Sequence, residues 1–160
     1  MTWFEAVNYC RGEGGKLVEI NSEEENRMIN EKIMTGGYQS KNMFFWIGLT
    51  DESEEGTWRY ASNGEVASFF NWDTSYPQNP EPNNWNNNED CALIRSGGCR
   101  HWDHNGWADL SCKEKEVQIS TCGPEKWYTV NALCEFETEI GKEFFLSYQK
   151  SDHNDFKKTK

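Results

Sequence analysis

From Pro80 to Cys91 the chain reads PEPNNWNNNEDC, which sets three carboxylates and five side-chain amides around Pro82 and Trp85. Asn and Asp side chains bond their own backbone and favour turns, so this stretch is a loop. Its chemistry is that of hard oxygen donors. Calcium takes six to eight such oxygens, from carboxylates, amides and carbonyls, at about 2.3–2.6 Å. The segment is therefore a candidate calcium site, and a solvated surface loop is the alternative that its composition also allows. Enzymatic chemistry has less footing. The histidines His101, His104 and His153 form no H-E-x-x-H pair, and no nucleophile motif is present. His101, Asp103 and His104 lie between Cys99 and Cys112, where zinc binding is the alternative to a plain loop. The chain reads as a binding protein, not an enzyme.

A length of 160 residues suits one domain, able to bury roughly two thirds of the surface its unfolded chain exposes. Eight Trp, nine Phe and six Tyr must supply much of the apolar area of that core. The net charge of −11 argues against nucleic acid and anionic membrane as partners, because both need clustered Lys and Arg. It suits a cation binder. No apolar run approaches the roughly 20 residues of a membrane span, so membrane insertion is not expected. Six cysteines at 10, 91, 99, 112, 122 and 134 lack the paired C-x-x-C spacing of a zinc ribbon and read as three disulfides. A secreted or extracellular location follows, with a signal peptide removed or the chain a fragment. No N-x-[ST] sequon adds to that evidence.

The elements that would position the loop can be read in outline. Thr2 and Glu5 stand at capping-box spacing ahead of a helix whose Phe4, Val7 and Cys10 recur along one face, and Gly12 to Gly15 stop it. Lys16 to Ile20 reads as a strand. Ser22 and Glu25 open a second helix that runs to about Met34, ahead of Gly36 and Gly37. Strands or strand ends follow in MFFWIGL (Met43 to Leu49), TWRYAS, DCALIR, GWADLSC and NALCEFE. Between them, Asn63 to Asp90 has little periodicity and holds Pro77, Pro80 and Pro82. A loop of that length is functional or disordered, and Phe69, Phe70, Trp72, Tyr76 and Trp85 argue against disorder.

In order, these landmarks resemble the C-type lectin-like domain over about Thr2 to Phe136. The marks are WFEAVNYC, WIGL at Trp46 to Leu49, EGTW at Glu55 to Trp58, EPN at Glu81 to Asn83, EDC at Glu89 to Cys91, WADLSC at Trp107 to Cys112 and LCEF at Leu133 to Phe136. Each is weak alone; their order and spacing are specific. The resemblance implies an α+β fold over residues 1–137, with two helices, small antiparallel sheets and a long ligand-binding loop region. It also implies disulfides Cys10–Cys134 and Cys91–Cys112, which leaves Cys99 and Cys122 to bond to each other. Cysteine count alone permits 15 pairings.

The resemblance further implies a principal calcium site at Glu81, Asn83, Glu89 and Asp109, with Pro82 cis. One ligand departs from the family motif, since Trp107-Ala108-Asp109 has alanine where sugar-binding relatives have asparagine. EPN implies sugars with vicinal equatorial hydroxyls, of the mannose, GlcNAc or glucose type. Trp85 would then present a ring to the sugar, or else pack into the domain. An auxiliary calcium site is implied at Asp51, Glu55, Asn84 and Asp90, with a hydrophilic turn of solvated acids as the alternative. Glycans or glycoproteins are the implied partners. A lectin-like protein-interaction module with a decayed metal site is the rival, favoured by Ala108, and a matrix or mineral-associated role driven by acidic charge is a third reading.

The ends depart from the family's usual layout, which begins on a strand; this chain begins on the helix. Residues 142–150, KEFFLSYQK, look like that missing strand within a 138–160 tail. The expectation is that they supply it by circular permutation or by exchange between two chains, which would make a homo-oligomer. The alternative is that they start a further copy of the domain. SDHNDFKKTK reads as a mobile end.

Overall fold

The computed structural model describes residues 1–33, 43–96, 106–119, 126–138 and 141–147. Helix α1 (Trp3–Gly12) starts on the expected capping box: Thr2 N donates to Glu5 Oε2 at 2.8 Å and Glu5 N donates to Thr2 Oγ1 at 3.2 Å. The buried face differs from the expected one. Trp3, Ala6 and Cys10 face inward while Phe4 is 40% exposed. Trp3 Nε1 donates to Ile47 O at 2.9 Å, and that buried bond turns the helix so that Trp3, not Phe4, leads the stripe.

Strand β1 is limited to Lys16–Leu17, shorter than Lys16 to Ile20. Val18 and Ile20 are buried all the same. Val18 N still donates to Leu133 O at 2.8 Å, but Val18 O turns to accept from Gly48 N of the strand at Met43–Thr50 at 2.7 Å, a backbone approach that a side chain at position 48 would block. Helix α2 (Glu23–Ile33) begins after Ser22, whose Oγ accepts from Glu25 N, and turns Asn26, Ile29 and Ile33 inward.

Strand β2 (Met43–Thr50) explains its apolar run by being buried on both faces. It pairs in parallel with β7 (Lys126–Thr138) and antiparallel with β3 (Arg59–Tyr60) and β4 (Cys91–Ser96); β4 pairs antiparallel with β5 (Trp107–Leu110). The path is β1-β7-β2-β4-β5. Strand alternation splits the core in two. Phe45, Ile47, Leu49, Ala92 and Ile94 join Ile29, Ile33, Trp58 and Trp107 in one cluster. Phe44, Trp46 and Leu93 join Trp3, Ala6 and the four cysteines bridged among the described residues in the other.

The disulfides Cys10–Cys134 and Cys91–Cys112 are both formed. The first ties α1 to β7, and the second ties the start of β4 to the residues just after β5. Cys99 and Cys122 lie outside the described residues, as do Gly36, Gly37, His101, Asp103, His104, His153 and residues 148–160. Two strands extend what NALCEFE suggested. β6 (Glu116–Ile119) forms a hairpin arm with the first half of β7, and β8 (Gly141–Ser147) pairs antiparallel with the second half, in the same chain. Phe144 of β8 is buried in the same cluster as Val18, Ile29 and Leu133.

Candidate functional site

The asparagine-rich loop owes much of its composition to its backbone. Asn84, Asn86 and Asn87 hold φ of 42°, 59° and 52°, a left-handed region that asparagine tolerates better than other side-chain-bearing residues. A short 3-10 turn at Trp85–Asn87 results. The Glu81–Pro82 bond is cis. Glu81 is tied from behind: its N–H donates to Asp73 O at 2.9 Å, and Asp73 N donates to Trp107 O at 2.8 Å. Gly106 permits this strap, because a Cβ there would stand 2.7 Å from the Asp73 Cβ.

Glu81, Asn83, Glu89 and Asp109 converge on one cleft of about 570 Å³. Asp109, at the end of β5 and nearly buried, accepts from Asn83 N at 2.9 Å and Asn84 N at 2.7 Å. Glu81 Oε2 accepts from Asn83 Nδ2 at 2.6 Å, and Glu89 Oε2 accepts from Trp85 N at 2.9 Å. Asn83 Oδ1 is buried and has no hydrogen-bond partner.

Crowding shows in the acidities. Burial, then the neighbouring Asp109 and Glu89, push Glu81 up to about 9. Burial and Asp109 push Glu89 up to about 7. Both shifts say that negative charge here lacks compensation. Among the described residues, no three His, Cys, Asp or Glu side chains form a closed metal cage by themselves. The convergent set here mixes carboxylates with an amide oxygen; Asp109 and Glu89 lean on backbone N–H groups and Glu81 on the Asn83 side-chain amide. An unpartnered amide oxygen beside under-compensated carboxylates is a donor set that fits a hard cation.

Asp51, Glu55, Asn84 and Asp90 also come together. Asn84 Nδ2 donates to Glu55 Oε2, Asp51 N donates to Asp90 O at 3.1 Å, and Gly56 N donates to Asp51 Oδ2 at 2.8 Å. Burial, then Glu55 and Asp90, raise Asp51 to about 6, and its Oδ1 is buried without a partner. Trp85 is 63% exposed on the cleft rim, so it is not packed into the domain. Ala108 lines the same cleft opposite Leu93.

Several lining residues escaped the sequence reading. Arg95 of β4 is nearly buried; burial lowers it to about 10, against the opposing pull of Asp73 and Glu81. A charge inside DCALIR was the available signal. Gln118 and Trp127 of the β6–β7 hairpin also line the cleft, and the extended interval between Cys112 and Cys134 was their only trace.

A family model for the lectin C-type domain matches residues 1–121. A perlucin-like protein of Mytilus galloprovincialis is 33% identical over 115 residues, covering 72% of this chain and 65% of that one. Asialoglycoprotein receptor 2 of Rattus norvegicus is 36% identical over 115 residues, covering 71% of this chain and 33% of the receptor. The chain thus spans about two thirds of the first and a third of the second. Among solved structures, the carbohydrate-recognition domain of the mouse scavenger receptor C-type lectin aligns with a TM-score of 0.55 at 27% identity, over 71% of this chain and 75% of that domain. No helix among the described residues is long and apolar enough to cross a membrane. With two helices, the sheet and both disulfides in place, the chain belongs to the C-type lectin domain family, whose members bind and do not catalyse.

Proposed function

We propose that this domain is an extracellular, calcium-dependent carbohydrate binder whose principal site is Glu81, Asn83, Glu89 and Asp109. The observation that carries the reading is the buried, unpartnered Asn83 Oδ1 set among carboxylates pushed far above their ordinary range. A calcium ion, when bound there, supplies positive charge and open coordination positions for sugar hydroxyls. The protein's part is to hold the donors: Asp73 and Gly106 fix Glu81 from behind, and backbone amides of Asn83 and Asn84 orient Asp109. Asp51, Glu55, Asn84 and Asp90 form the auxiliary site, marked by the orphaned Asp51 Oδ1.

Specificity follows from the EPN triplet. The Glu81 carboxylate accepts and the Asn83 amide donates, which suits vicinal equatorial hydroxyls of the mannose, GlcNAc or glucose type. Exposed Trp85 offers a ring face to the sugar. A relative named as a receptor for asialoglycoproteins supports glycoproteins as the partner class.

Ala108 supports a second reading, a lectin-like module that binds protein, because its methyl group coordinates nothing and donates no hydrogen bond to a sugar. A glycan-binding screen in calcium and in chelator separates the two, run beside Ala108→Asn. The lectin reading expects binding lost in chelator and strengthened several-fold by the asparagine, on the order of 1 kcal/mol for one regained hydrogen bond. Chelator-insensitive binding to protein, without glycan signal, refutes it.

A further inference from the structure

We infer that the cleft is a two-part saccharide site, in which the β6–β7 hairpin holds a second sugar ring against Trp127 beside the ring taken at Glu81, Asn83, Glu89 and Asp109. This rests on the carbohydrate reading above and extends it from a single sugar to an oligosaccharide.

The cleft is larger than one sugar needs. At about 570 Å³ it matches sites that enclose drug-sized ligands, whereas a hexose has a dozen heavy atoms. Its lining runs beyond the acidic loop to Val117, Gln118 and Trp127. The hairpin register pairs Gln118 with Trp127 and Val117 with Tyr128. Directly opposed residues share a face, so the Trp127 indole and the Gln118 amide stand side by side. Tyr128 packs on Phe44 at 6.0 Å between ring centroids, while its neighbour Trp127 stands on the cleft rim. There it is 61% exposed.

An exposed ring beside an amide is the chemistry a pyranose requires: an apolar surface for its C–H face and a polar group for its hydroxyls. Trp85 repeats the exposed ring at the acidic loop, so two indoles from separate elements border one cleft. Small side chains, Ala108 and Ser111, also line this cleft. A neutral polyhydroxyl chain fits this pattern of rings and amides. A basic peptide would answer to the acids alone and leave the indole–amide pair unexplained.

Calorimetric titration of the full chain in calcium tests the inference, with methyl α-mannoside and an α-linked mannotriose as probes. The trisaccharide should bind about tenfold tighter than the monosaccharide. Trp127→Ala should remove that gain and leave the monosaccharide affinity within about twofold; Trp127→Phe should keep part of it. A trisaccharide bound no tighter than the monosaccharide, or a gain that survives Trp127→Ala, overturns the second position and leaves the calcium site standing. Binding of neither sugar overturns both. Should the alanine variant misfold, the assigned Trp127 indole N–H resonance of the unmodified chain decides: it should shift with the trisaccharide and hold still with the monosaccharide, and a resonance unmoved by either refutes the inference.

Discussion

Two groups of carboxylates in this molecule face opposite circumstances. Beside β1, buried Glu19 accepts from Lys16 Nζ at 2.6 Å, Ser62 N at 2.7 Å and Ser62 Oγ at 2.8 Å. Glu135 accepts from Glu19 N at 3.1 Å, with Lys16 Nζ 3.2 Å and Lys142 Nζ 3.8 Å away. Lys142 also reaches Glu25 at 2.8 Å and thereby clamps β8 to α2. At the cleft, Glu81, Glu89 and Asp109 accept from amide donors, with the Arg95 charge near Glu81, yet Glu81 and Glu89 are driven toward protonation. Burial raises Glu135 as well, though Lys16 and Lys142 pull it back; Glu81 and Glu89 rise with no lysine among the described residues set against them.

That contrast can be broken experimentally, beginning where the effect is largest. Deleting residues 141–160 removes Lys142, the buried Phe144 and a strand with seven register pairs on β7. We expect a loss above about 4 kcal/mol in urea denaturation, with little cooperative folding left; an unchanged melt would show that β8 is dispensable. Lys16→Met leaves Glu19 and Glu135 under-compensated. It should cost about 2 kcal/mol with or without calcium, less than for a fully buried pair because Lys16 is one-third exposed.

The cleft should respond with the opposite sign. Glu81→Gln replaces a carboxyl that the folded chain must hold protonated at neutral pH, so in chelator it should stabilise the chain by about 1 kcal/mol while abolishing any stabilisation by calcium. A loss of stability in chelator would place Glu81 with the structural acids. The smallest effect is on pH dependence. Glu81 and Glu89 have folded-state values raised above their unfolded ones, so the folded chain binds more protons in that window and stability falls as pH rises. In chelator the melting temperature should therefore drop from about pH 5 through the values near 7 and 9. Calcium should flatten that slope, because it favours the ionised forms. Equal slopes with and without calcium would count against the site.

Local signals were legible where one residue decides. Thr2 and Glu5 form their box because both partners lie within one helical turn, and the Met43 to Leu49 run became a doubly buried strand because nothing in it tolerates water. Burial direction was less legible. Cys10 faces inward as its spacing predicts, but a long-range bond from Trp3 to Ile47 brings Trp3 and Ala6 ahead of Phe4 and Val7 on the buried face. The asparagines read as ligand donors largely serve the backbone at Asn84, Asn86 and Asn87, and chemistry alone does not separate those uses. Arg95, Gln118 and Trp127 reach the cleft through strand register, which depends on partners distant in sequence.

The claim that Glu81, Asn83, Glu89 and Asp109 hold calcium is tested most directly by melting the chain with calcium raised from chelated to millimolar levels. At a concentration a hundredfold above the dissociation constant, binding adds about 2.7 kcal/mol. For a domain of this size that raises the melting temperature by roughly 5–10 °C. We predict that rise for the unmodified chain, and a flat response for Glu81→Gln. Superimposable melts of the unmodified chain in calcium and in chelator would contradict the account.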